Sequence, residues 1–214
     1  MLDQHLRSID VRTGSVLCWA DHAIDHAFFP DGAILSVLTV LADGSAIETA
    51  KIGREGAFGL FEAMYTHTSF NQCVVLLGGR LLRCPFGVLR FLLENNSEIR
   101  SLYICYTEAL HAQSQQVAAC STLHSVRERL CRWLLTLHDR NDGQEFAITH
   151  EYVAHILGIN RKSVTLTAQA MQNDGLISYH RGRMRILDRR RLERASCECY
   201  VTIERNFEAV WAKP

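Results

Sequence analysis

Glycine placement constrains this chain more than any other feature. Nine of its thirteen glycines fall between Gly14 and Gly87, whereas residues 88–142 contain neither glycine nor proline. A chain divided in this way carries short elements joined by tight turns, followed by continuous helix. In the first part the apolar runs Ala33 to Leu41, Ala46 to Ile52 and Cys73 to Leu77 are separated by Pro30-Asp31-Gly32, Asp43-Gly44, Gly53 and Gly78-Gly79. That spacing predicts an antiparallel β-roll of the cupin-like jelly-roll kind, within an α+β chain. Gly53-x-x-Gly56-x-x-Gly59 leads into neither the Lys-Ser/Thr of a phosphate cradle nor a helix-opening fingerprint, so it reads as turns of the roll.

From Ser97 to His138 the apolar spacing changes to threes and fours, through Ile99, Leu102, Tyr106, Leu110, Gln113, Val117, Cys120, Leu123, Arg127, Leu130 and Leu134. Read as one helix, these residues would extend about 60 Å, further than a small domain covers by itself. Either the same helix of a second subunit buries the stripe in a two-fold dimer, or two helices pack on their own roll. Asp139 to Gly143 reads as a polar hinge. The expected division is a β-roll over 1–96, a dimerisation helix over 97–138 and a third unit over 139–214.

Composition excludes several classes. With 48% hydrophobic and 21% charged residues the chain is neither a disordered tail nor a rod. Its eight cysteines do not imply a disulfide scaffold, because the opening Met-Leu-Asp-Gln-His-Leu-Arg has no apolar segment behind it. No run approaches the roughly 18 apolar residues of a membrane helix, so a cytoplasmic protein with reduced thiols and no membrane partner is expected. The formal net charge is zero, yet residues 149–194 carry nine basic and four acidic side chains. A local excess of cations is the footprint of a surface that meets phosphates.

Within that segment Thr149 is placed to cap a helix with Val153, Ile156 and Leu157 inward, and Gly158 ends it. Asn160 then caps a second helix from Arg161 to about Gln172, with Val164, Ala168 and Met171 inward. Small Ala154 suits the crossing, Gly158 permits positive φ, and Ile159 and Val164 plug the angle. Two short helices joined in this way form a helix-turn-helix, although Thr167 occupies a position where an aliphatic residue is more usual. Asp174-Gly175 then leads into Leu176-Ile177-Ser178-Tyr179, and Met184-Arg185-Ile186-Leu187 returns after Arg181-Gly182. Alternation along this hairpin would align Arg181, Arg183 and Arg185 on one face of a wing. On the second helix Arg161, Lys162, Thr165 and Gln169 are the candidates for base edges, and Ser163 and the wing arginines for phosphates of double-stranded DNA. Arg189-Arg190-Arg191 reads either as further phosphate contacts or as a solvated helix start.

These residues also carry a resemblance. Phe28-Phe29-Pro30-Asp31-Gly32-Ala33-Ile34-Leu35-Ser36, Asp43-Gly44 and Ile52-Gly53-Arg54-Glu55-Gly56-Ala57-Phe58-Gly59 resemble the cyclic-nucleotide-binding-like roll of the Crp/Fnr superfamily of bacterial transcription regulators. Leu157-Gly158-Ile159-Asn160-Arg161-Lys162-Ser163-Val164 and Leu176-Ile177-Ser178-Tyr179-His180-Arg181-Gly182-Arg183 resemble its winged helix-turn-helix, in the family's order. The resemblance implies a homodimer whose rolls sense a signal and whose heads bind a near-palindromic operator, with RNA polymerase as a partner if it activates. The alternative is a constitutive DNA-binding or architectural protein with a vestigial sensor. Nucleotide-binding members carry Gly-Glu-Leu-Gly followed by Arg-Ser-Ala. Here Leu60-Phe61-Glu62 follows Gly59, and no Lys or Arg lies between Arg54 and Arg80. Cyclic AMP is therefore not the expected effector, and the effector or cofactor stays unassigned. Cys18 alone precedes Cys73, which does not assemble an iron-sulfur cluster by local spacing, and the ten histidines leave haem open.

No metal site is expected. His22 and His26 are four apart but lack a third ligand, Cys199 reads as a core thiol, and Cys197 as at most a redox handle. An enzyme on the roll would need several converging histidines, whereas His67 is the only one between Ile34 and Leu82. No enzymatic activity is expected.

Overall fold

The computed structural model describes residues 3–64 and 66–212. After a 3₁₀ turn at Asp3–His5 come β1 (Arg7–Val11), β2 (Val16–Cys18), β3 (His22–Ala23), β4 (His26–Asp31), β5 (Ile34–Val40) and β6 (Ala46–Ile52). They are followed by α1 (Leu60–Met64), β7 (Thr68–Ser69), β8 (Gln72–Leu77) and β9 (Gly79–Pro85). The strands pair antiparallel in the orders β1-β9-β4, β2-β8-β5-β6 and β3-β7, which is the expected roll. Both faces of the four-stranded sheet are buried, which is why its strands read as unbroken apolar runs. Leu35, Val37, Ala50, Ile52, Cys73 and Val75 point into the roll. Ile34, Leu38, Ala46, Val74 and Leu76 point out of it, into a second core.

That second core is built by helices. α2 (Phe86–Asn95) and α3 (Ser97–Leu123) close the roll, α4 (Val126–Arg140) crosses its outer sheet face, and β10 (Phe146–Ala147) follows. Then come α5 (His150–Leu157), α6 (Arg161–Asn173), β11 (Ile177–His180), β12 (Arg183–Ile186), α7 (Arg189–Ala195) and α8 (Cys199–Trp211). Leu130, Trp133, Leu134 and Leu137 of α4 share one core with Val153, Ile156, Val164, Ala168, Met171 and Met184 of the head.

The continuous helix expected over 97–138 is two helices. α3 ends at His124, whose backbone is extended, and Ser125 starts α4 with a reciprocal capping box to Glu128. Part of the stripe is covered within the chain itself. Tyr106, Ala109 and Val117 bury in the roll core together with Ile203, Phe207 and Val210 of α8, so the chain's own last helix occupies much of the face. Leu102, Ile104 and Leu123 stay exposed. Residue 139 falls in the last turn of α4, and Arg140 is buried rather than part of a mobile hinge.

Candidate nucleic-acid interface

α5 and α6 form by the local signals the sequence carries. The Thr149 hydroxyl accepts from the amide of Tyr152 at 3.1 Å, and Asn160 Oδ1 accepts from the amide of Lys162 at 2.7 Å. Between them Gly158 adopts φ +61°, and a Cβ there would come within 3.2 Å of the Ile47 side chain. The turn of the motif therefore favours glycine for its conformation, and a side chain there would also displace Ile47 of the β5–β6 hairpin slightly. Arg129, buried in α4, donates to the carbonyl of Leu157 and closes the end of α5.

The outward face of α6 carries Arg161, Lys162 and Gln169, all exposed. Arg161 lies 3.7 Å from Glu151, with both side chains largely in solvent, a pairing weak enough to give way to a phosphate or a base. Thr165 and Ser163 are only half-exposed. The Thr165 hydroxyl donates to the carbonyl of Arg161 at 3.0 Å and lies 3.2 Å from His150 Nδ1, which leaves its methyl as the part free to meet a base. His150 in turn stacks on Tyr179, ring centroids 4.1 Å apart. Burial, and then the charge of Arg161, push its pKa below the ordinary histidine value. Leu166 is missing from the sequence-derived set, although it is 56% exposed on the same face. Spacing locates it, since Lys162, Leu166 and Gln169 are i, i+4 and i+7.

The wing differs in one respect from strand alternation. β11 pairs with β12 so that Ser178 faces Arg185 and His180 faces Arg183, placing those four side chains on the exposed face. Arg181 is in neither strand. With Gly182 it makes the two-residue turn, both at positive φ, and so projects from the tip. Arg183 is paired with Glu145 at 3.0 Å on the surface. Arg189 is held by Asp139, Glu193 and the hydroxyl of Tyr200, while Arg190 and Arg191 are exposed.

A polar seam fixes this head to the roll. Glu48 of β6 accepts from Ser36 Oγ at 2.5 Å and from the indole of Trp133 at 2.8 Å, and Lys51 Nζ donates to the Trp133 carbonyl at 3.1 Å. Lys51 Nζ also lies 4.1 Å from the centre of the Trp133 ring. Burial pushes its pKa down to about 7 against the pull of Glu48. Arg140 pairs with Glu55 at 2.6 Å and Glu204 at 3.3 Å, tying α4 to the roll and to α8. Gly53 permits that approach, because a Cβ there would stand 2.9 Å from Arg140 Cγ.

Inside the roll a cleft of roughly 170 Å³ is lined by Val37, Ala50, Phe58, Glu62, Leu110 and Ser114 among others, with no lysine or arginine. Glu62 is buried there; Oε1 accepts from Ser69 at 2.8 Å and Oε2 has no partner. His22 and His26 lie on β3 and β4 and not on one helix face. His22 Nδ1 is 2.8 Å from the carbonyl of Ala20, and His26 Nδ1 is 2.6 Å from Asp25. Cys197 and Cys199 are both buried, and the fold brings them to Cys120 and His124, a meeting no local spacing announces.

A capped second helix beside a two-stranded wing, carried on an antiparallel roll, has the arrangement of a winged helix-turn-helix joined to a β-roll. Residues 128–195 match the Crp-like helix-turn-helix domain. The whole fold is that of FixK2 from Bradyrhizobium japonicum, with TM-score 0.76 and 13% identity over 90% of this chain and 98% of that one. It is likewise that of a Crp/Fnr-family regulator from Eubacterium rectale, with TM-score 0.72 and 18% identity over 95% and 92% of the two chains. A CRP-family regulator from Thermus thermophilus superposes with TM-score 0.74 and 18% identity over 88% and 96%. No curated protein sequence matches the chain. The matched segment is thus similar to a Crp-like helix-turn-helix domain, and the fold of the chain is that of Crp/Fnr-family regulators. Among the described residues no helix is long and apolar enough to cross a membrane.

Proposed function

We propose that the chain acts in the cytoplasm as a homodimer that reads a near-palindromic operator, placing α6 in the major groove and the wing against the flanking backbone. The observation that carries this reading is the outward face of α6, where Arg161, Lys162 and Gln169 stand exposed beside a helix start whose first-turn amides favour phosphate. Arg161 and Lys162 suit guanine, Gln169 suits adenine, and the Thr165 methyl and Leu166 suit thymine methyls. Ser163, Arg181, Arg183 and Arg185 hold phosphates. Exposed Leu102, Ile104 and Leu123 on α3 supply apolar surface for the second subunit. The roll takes an effector other than cyclic AMP, since a phosphate in its cleft would meet the unpartnered Glu62 oxygen and no cation. Where the regulator activates, RNA polymerase is its further partner.

Selection of bound duplexes from a random pool tests the reading. The expected outcome is an inverted repeat with half-sites about 34 Å apart. Arg161→Ala and Gln169→Ala should each cost about 1–3 kcal/mol at one operator position, while binding to random duplex changes little. A pool that yields no enriched sequence overturns it.

A further inference from the structure

Three cysteines of this chain bury against one another and against neither core. Cys120 lies in the last turn of α3, and Cys197 and Cys199 flank the start of α8; they are 0%, 4% and 0% exposed. His124, one helical turn beyond Cys120 and at the break before α4, completes the group. The ligand atoms of all four residues lie within 4.8 Å of one another. Sγ of Cys120 and Cys197 are 3.5 Å apart, and Sγ of Cys199 is 3.6 Å from His124 Nδ1. A tetrahedral zinc ion with ordinary bond lengths separates two sulfurs by about 3.8 Å and a sulfur and a nitrogen by about 3.5 Å. Those two separations are already close to the ones a Cys₃His site requires, and the remaining ones stay within 4.8 Å.

The surroundings fit the same chemistry. His124 Nε2 is 3.2 Å from the carboxylate of Glu198, which holds the proton on Nε2 and turns the Nδ1 lone pair toward the sulfurs. The Gln116 amide donates to Cys199 Sγ at 3.0 Å, as donors do around metal-bound thiolates. On the α4 side stand Arg129 and Arg132, both buried, each with an unpartnered Nε and neither paired with a carboxylate among the described residues. Two buried cations without a carboxylate partner would be balanced by a centre in which three thiolates surround one divalent ion, net charge minus one.

We propose that Cys120, His124, Cys197 and Cys199 form a tetrahedral site for a borderline-soft divalent cation, zinc above all, that clasps the break between α3 and α4 to the junction of α7 and α8. On binding, the three thiols release their protons to solvent and His124 ligates as the neutral imidazole. The site stands whether or not α6 binds DNA, and it reverses the sequence-based expectation of no metal.

The test uses the full chain, reduced and stripped with a chelator. Titration with Zn²⁺ should load one equivalent and raise the melting temperature. Co²⁺ in its place should give the visible bands of tetrahedral coordination together with thiolate-to-metal charge transfer. Cys199→Ser should cut that charge-transfer intensity by about a third and weaken Zn²⁺ binding a hundredfold or more, while Cys18→Ser in the roll changes neither. Glu198 is exposed, so Glu198→Ala leaves the fold intact and should still weaken Zn²⁺ about 10- to 100-fold. Failure of the reduced, folded chain to take up Zn²⁺ or to colour with Co²⁺ overturns the proposal. Uptake unchanged in Cys199→Ser does so too, as does a Cys120–Cys197 disulfide forming in a chain that, once reduced again, binds no metal.

Discussion

The head and the seam beneath it are held together by opposite means. The helix-turn-helix is an apolar interior, with Val153, Ile156, Val164, Ala168 and Met171 all at most 1% exposed, and His150 and Tyr152 apart its polar side chains point outward. The seam between roll and head places Glu48, Lys51, Gln113 and Arg140 out of solvent, with Glu48 and Lys51 linked to Trp133, Gln113 to the Lys51 amide, and Arg140 to Glu55 and Glu204. Apolar burial is non-directional, whereas a buried ion pair is favourable only with good geometry. The head's fold is thus specified by its own residues, and its seat on the roll, apolar through α4 and the outer sheet face, is fixed further by polar groups drawn from β6, α3, α4 and α8.

This contrast is broken most directly at Arg140, whose side chain is 4% exposed between Glu55 and Glu204. Arg140→Ala leaves two carboxylates without a counter-charge and should cost about 3–5 kcal/mol in chemical denaturation. Burial already raises the Glu204 pKa against the pull of Arg140, so the variant should regain part of its stability on acidification, as Glu204 takes up a proton. An equal loss at neutral and mildly acid pH would show that Arg140 contributes packing and not charge. Ile156→Ala in the head should cost a comparable or slightly smaller amount, about 2–5 kcal/mol, with no pH dependence.

The two regions also differ in how legible they were. Both caps, the Gly158 turn, the inward positions of α5 and α6 and the hairpin follow from residues within a few positions of one another. The seam does not, because Glu48 and Trp133 are 85 residues apart. Glu48 and Lys51, three apart, should lie on opposite faces of a regular strand. A bulge opposite Val37 and Leu38 shifts the register at Thr49 and turns both toward α4. The break before α4 was written in the sequence as Ser125-x-x-Glu128, but an apolar stripe running through it at helical spacing concealed the interruption. Among the site residues, Arg181 was misplaced because a two-residue turn consumes one position of the alternation.

A smaller effect separates cap from surface. Asn160→Ala removes the acceptor for the Lys162 amide at the start of α6 and should cost about 1 kcal/mol of head stability. It should also weaken operator binding, because the first turn that carries Arg161 and Lys162 frays. Asn160→Asp keeps the acceptor and should restore stability. Its added negative charge stands where phosphate is expected, so operator affinity should stay below that of the wild type, most clearly at low salt. Comparing the two variants by thermal melting and by salt-dependent binding separates the helix start as a structural element from the helix start as an anion site.

The smallest expected effect sits at His150, under the reading helix. Its ring stacks on Tyr179, its Nδ1 meets the Thr165 hydroxyl, and its buried Nε2 has no partner. Burial first, and Arg161 second, lower its pKa in the folded chain, whereas in the unfolded chain it titrates at about 6.5. Between those two values the unfolded chain binds more protons, so head stability rises with pH across that window. It is complete above about 6.5 and is lost as pH falls through the folded value. His150→Phe keeps the stacking and removes the proton site, so its melting temperature should fall less than that of the wild type between neutral and mildly acid pH. The variant also frees the Thr165 hydroxyl from its imidazole partner. If the acid loss is identical in both proteins, His150 is not where the head senses protons, and the carboxylates of the seam become the groups to examine.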